Sequence, residues 1–134
     1  MKPLVTFPDP EAAVALYLRG LGIADTVTTS FPTAGLTGAA KHLQVELELG
    51  ASTDYPVTER AQVRVTAYTA PGQRTAVKDL ASLAHGHVCR LQSDDVAGVQ
   101  PRIGRSDVIT DPTTKNLMCW FVVRVDLKAT VLAS

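Results

Sequence analysis

The chain has no excess of either charge: thirteen lysines and arginines stand against thirteen aspartates and glutamates over 134 residues. It therefore lacks the basic footprint with which proteins hold nucleic-acid phosphates or an anionic membrane, and neither partner is expected. Cysteine is scarce. Cys89 and Cys119 sit in apolar patterns without C-x-x-C spacing, so a reduced pair is expected rather than a disulfide framework. No apolar run approaches the roughly 20 residues of a membrane-spanning helix. Met1–Pro8 holds two prolines and too short an apolar run for a signal-peptide core, which points to a soluble product made in a cytoplasm. G-x-S-x-G, P-loop and G-x-G-x-x-G patterns are missing, which removes the usual supports for nucleophilic hydrolysis and for cradling nucleotide phosphates.

What is present is periodicity. Leu117–Val131 is apolar at every odd position, the period-two pattern of a long strand with one buried face. His42–Leu49 alternates in the same way, with Leu43, Val45, Leu47 and Leu49 inward; Arg60–Thr69 does so with Ala61, Val63, Val65 and Ala67 inward. Asp25–Phe31 reads as a short strand ended by Pro32, and Val96–Ile103 as an edge strand, since Pro101 cannot donate to a neighbour. Asp9-Pro10-Glu11 is a helix start built from a capping carboxylate, a first-turn proline and an acidic residue at the positive dipole end. That helix should run to Arg19 and bury Val14, Tyr17, Leu18 and Leu21. A second, stronger helix follows Ala70-Pro71-Gly72, with Val77, Leu80, Ala81, Ala84, Val88 and Leu91 at steps of three and four. Gly50–Pro56 and Gly104–Lys115 read as loops.

The element order α-β-β-β-α-β-β describes one α+β domain over residues 1–134. If the strand after the second helix returns parallel to the one before it, the last strand must come back antiparallel and slot between them. The expected product is a single five-stranded, mostly antiparallel sheet in the order one-two-three-five-four, with both helices on one face. Thr33–Lys41, Ala70–Gly72 and Gly104–Lys115 then gather at one end of the sheet; Gly50–Glu59 and the C-terminus gather at the other.

Candidates for chemistry are few. His85-Gly-His-Val-Cys89 has residue types suited to zinc, but on a helix His85 and His87 diverge by about 200°, leaving only His85 and Cys89 on one side. No metal site is expected, and no cofactor. Asp94-Asp95 could be paired carboxylates, yet adjacent residues point apart and read as a solvated turn. His42 opens a strand with no partner in view, and Gly35–Gly38 is a flexible loop. An enzyme or ligand-binding domain is thus the weaker class of function. The unexplained feature is the apolar trio Met118, Trp120 and Val122, on the side of the last strand away from the helices, holding the only tryptophan. With Tyr68 on the neighbouring strand it forms a candidate subunit interface, if no helix or loop covers it.

A set of these segments resembles a known family. They are the helix Asp9–Arg19 followed by a short strand ending Thr29-Ser-Phe-Pro32, the strand Ala61–Tyr68 leading straight into the second helix, Val96–Val99, and the last strand Phe121-Val-Val-Arg-Val-Asp-Leu127. Together they are similar to the tail-terminator (tail completion) proteins of long-tailed bacteriophages, in the form found in phages of actinobacteria. The resemblance spans nearly the whole chain as a pattern of elements. It implies an α+β virion protein with no catalytic residues, built in the host cytoplasm and carried in the tail or neck. Such a subunit joins a homo-oligomeric ring, hexameric in that family, which caps the tail tube, stops its polymerisation and presents the surface for the head-side connector. A head-completion or neck protein of the same virion is the alternative.

Overall fold

In a computed structural model of the chain, residues 4–54 and 58–133 are described, without the side chains of 49–54 and 133. The elements run β1 (Leu4–Thr6), α1 (Pro10–Leu21), β2 (Thr26–Thr28), β3 (Lys41–Asp54), β4 (Thr58–Thr69), α2 (Arg74–Val88), β5 (Val96–Ile103), β6 (Ile109–Thr110), β7 (Leu117–Lys128) and β8 (Thr130–Ala133). The fold is α+β, with two helices and mostly antiparallel sheets.

The main sheet has the order β2-β3-β4-β7-β5, with β6 added beside β7. Its first five strands follow the expected order, and β7 lies inside the sheet as its apolar run requires. Three parts of the expectation need correction. The sheet has six strands, not five, because Ile109 and Thr110 of the supposed polar loop pair with Met118 and Leu117. A second, two-stranded sheet joins β1 to β8, so the last strand does not run on to Val131: it stops at Lys128, and Val131 is 63% exposed opposite Val5. Strand pairs this short carry too little periodicity to be seen in sequence. The loop expected over Gly50–Pro56 is also partly strand, since β3 continues to Asp54; Tyr55–Val57 lie outside the described residues.

Each helix is set by local chemistry. The Asp9 carboxylate accepts the Glu11 N–H at 2.9 Å and caps α1, and Gly22 ends it at φ +66°, a left-handed conformation that side chains other than glycine resist. Both helices pack on one face of the sheet. Val14, Ala15 and Leu18 of α1 and Val77, Leu80, Ala81, Ala84 and Val88 of α2 meet Leu43, Val45, Val63, Val65, Phe121, Val123 and Val125. Leu47, expected inward, is 40% exposed, because it lies where β3 has outrun β2 and a bulge interrupts the register with β4. Its N–H is not left bare: Glu11 of α1 accepts it at 2.7 Å.

Candidate functional site: the helix-free sheet face

The face of the sheet away from the helices carries His42, Gln44 and Glu46 on β3, Gln62, Arg64, Thr66 and Tyr68 on β4, and Met118, Trp120, Val122, Arg124 and Asp126 on β7, in matching register. Among the described residues no helix covers it, yet one end is closed. After β2 the segment 29–40 crosses the sheet end and is fastened on the far side by Asn116, which is wholly buried. The Asn116 Oδ1 accepts the Leu36 N–H at 2.7 Å, and its Nδ2 donates to the Ala34 carbonyl at 3.2 Å. Gly35, within this strap, lies tightly against the residues before β7: a Cβ there would stand 3.2 Å from the Thr114 carbonyl oxygen.

Under the strap lies a polar cluster that sequence reasoning missed. His42, seen there as partnerless, has three partners: Thr26 Oγ1 lies 2.5 Å from Nδ1, and Thr28 Oγ1 and the Ser30 carbonyl lie 3.1 and 3.4 Å from Nε2. Because the Thr28 hydroxyl donates to the Ser30 carbonyl at 2.6 Å, its oxygen is free to accept from Nε2–H, and the Thr26 hydroxyl to donate to Nδ1. That assignment satisfies a neutral imidazole. Burial holds the His42 pKa below its ordinary value, and the hydrogen bond to the Ser30 carbonyl opposes it. Tyr68 lies beside it with ring centroids 5.7 Å apart, and donates to Gln44 Oε1 at 2.7 Å. Burial, then the charges of Glu46 and Asp111, push its hydroxyl up to about 12.

The four residues expected at an interface therefore separate. Tyr68 is 5% exposed beside His42, and Val122 is fully buried; Met118 and Trp120 are half-buried. Val122 disappears because long side chains lie over this part of the face. Arg64 stacks its guanidinium 4.3 Å above the Trp120 ring and donates to Glu48 at 2.8 Å, while Arg124 forks onto Asp126 at 3.0 and 3.2 Å. Two residues not foreseen extend the apolar surface. Register sets Ile103 opposite Val122 and Ile109 opposite Met118, and they are 50% and 43% exposed. The accessible strip is thus Ile109, Met118, Trp120 and Ile103. Ile103 was legible as apolar but hidden by the bulge after Pro101, and Ile109 by the polar residues around it.

The other candidates disperse. His85 packs edge-on against Phe121, with centroids 4.8 Å apart, and its Nε2 lies 3.7 Å from Cys89 Sγ; among the described residues no three potential ligands gather. Both cysteines are free thiols, and burial pushes each up in pKa, away from the thiolate form. Asp94 and Asp95 sit in an exposed turn closed by Ser93 Oγ, which accepts the N–H groups of Asp95 and Val96 at 3.2 Å.

This arrangement of elements has a known counterpart. The fold matches a chain in the virion of a native gene transfer agent particle. The match has a TM-score of 0.60 at 14% sequence identity, and covers 89% of this chain and 94% of that one. No protein-family model matches the sequence, and no curated protein does. At such identity the likeness is one of fold, and no residue of the gene transfer agent chain can be transferred to the strip. The strip rests on geometry alone.

Proposed function

We propose that this chain is a structural subunit of a phage-type virion that assembles with copies of itself into a ring on the end of the tail tube. The ring stops tube polymerisation and offers the surface that the head-side connector joins. One observation carries the reading: the fold match with a virion chain runs over nearly the full length of both chains, as expected if the whole chain is the working unit. The helix-free face supplies a means of assembly. A partly exposed apolar strip with the only tryptophan at its middle, rimmed by charged pairs, has the anatomy of a protein–protein interface. The loops gathered at one end of the sheet and the β3–β4 hairpin at the other would meet different neighbours, tube and connector. The subunit works by shape and needs no catalytic residue, metal or cofactor.

Virions made without the chain test the role directly. Overlong tails are the expected result. Full heads with unattached tails of normal length would instead assign it to the neck as a head-completion protein. The interface is tested by Trp120→Glu. The new carboxylate can still pair with Arg64, so the fold should persist while assembly, read by sizing and light scattering, is lost. Ile103→Glu is the companion variant, at a half-exposed site. If both variants assemble like the parent protein, the strip is not the interface.

A further inference from the structure

A ring is closed by heterologous contacts, in which the strip of one copy must meet a different surface of the next. We propose that this second surface is the outer side of α2 around Leu83, so that each copy lays its helix layer on the uncovered sheet face of its neighbour. The inference rests on the ring reading above and names the surface that reading leaves open.

Three observations favour α2. Leu83 is 48% exposed and stands at a shallow groove of about 240 Å³ lined by Ser82, Gly86, His87 and Arg90. Gly86 has open space where a Cβ would be, so a partner can approach the helix backbone closely. Charge is the second. Arg105 is drawn onto the helix, its Nη1 2.7 Å from Ser82 Oγ, and joins Lys78 and Arg90 against the carboxylates of Asp79 and Asp107. At the strip end the sheet face has the opposite balance. Arg64 is already held by Glu48, and Arg124 and Arg60 lie towards the other end of the sheet beside Asp126, while Glu46 and Asp111 stand close enough to Tyr68 for both to raise its hydroxyl. The third is architecture: a sheet with helices on one face gains a complete second cover when another helix layer is added.

The other exposed apolar surfaces fit less well. Leu16 of α1 is 70% exposed, but its groove is edged by Asp94 and Asp95, which would face the carboxylates of the strip. Leu4, Val131 and Leu132 on the β1–β8 pair are exposed with no charge among Leu4–Thr6 or Thr130–Leu132 to match those carboxylates.

The test uses the full chain in a Cys89→Ser background. Leu83→Cys combined with Ile103→Cys should give, on mild oxidation, a ladder of disulfide-linked multimers ending at the ring size, while each single variant gives none. Arg90→Glu should raise the concentration needed for assembly by at least about tenfold through like-charge contact, and Glu46→Arg in the same chain should restore it. Three outcomes overturn the proposal. A ring in light scattering with no ladder and no effect of Arg90→Glu removes the α2 contact but leaves the ring. Dimers from Leu83→Cys alone indicate helix-to-helix pairing instead. No ring at any concentration, alone or with tail tube, removes the ring reading and this contact with it.

Discussion

At the scale of single residues, His42 has the clearest energetic role. Its neutral ring links β2, β3 and the start of the strap through Thr26, Thr28 and Ser30, in a place where charge is disfavoured. The folded-state pKa lies below the unfolded value, so below about pH 6.5 the unfolded chain binds more protons than the native one. The contribution of His42 is therefore fully present above that pH and is lost as pH falls through and below it. Denaturant unfolding between about pH 7.5 and pH 5 should show declining stability, with a shallower decline in His42→Gln. Parallel curves for the two proteins would mean that the imidazole is not the titrating group. None of this could be read beforehand. His42 shows its pattern of partners only when a parallel neighbour brings Thr26 and Thr28 beside it, and residue spacing says nothing of that pairing.

At the scale of elements, the sequence was most legible where one face of a regular element repeats. Every expected core position of α2 is buried, and so are the inward residues of β4 and those of β7 from Cys119 to Leu127, while Leu117 is only partly buried. Legibility ended at the short and the irregular: β6 and the β1–β8 pair are too brief to show a period, and the bulge after Leu47 turns a regular pattern aside. The strap is the most consequential of these. Segment 29–40 has no periodicity, and what fastens it across the sheet end is one buried asparagine just before β7. Asn116→Ala should leave the Leu36 N–H and the Ala34 carbonyl unpaired and cost about 1–3 kcal/mol in chemical unfolding. Hydrogen exchange at Leu36 should quicken more than at Phe121 in the same variant. Equal protection at Leu36 with and without the asparagine would show the strap to be held by other contacts.

At the scale of the whole molecule, the question is whether copies join by faces or by edges. A sheet with open edges invites strand-to-strand pairing, and both edges here are blunted. On one side β2 is three residues long and Glu11 takes the Leu47 N–H of β3; on the other, β5 carries Pro101, which has no N–H to give, and a register shift beside it. The faces are the more open route, since the apolar strip and the outer side of α2 are both accessible, while each edge is interrupted, by the capped Leu47 N–H on one side and by Pro101 on the other. Hydrogen exchange of the assembled protein against the monomer can separate the two routes, because docking by faces leaves backbone pairing unchanged. On assembly, the amides of β5 that do not pair with β7 should keep exchanging at the monomer's rate, and protection should instead grow in α2 near Gly86. If the outward amides of Val96–Ile103 become protected while α2 is unchanged, the copies are adding strands to one another's sheets, and the two faces proposed for the contact are solvent surfaces in the ring.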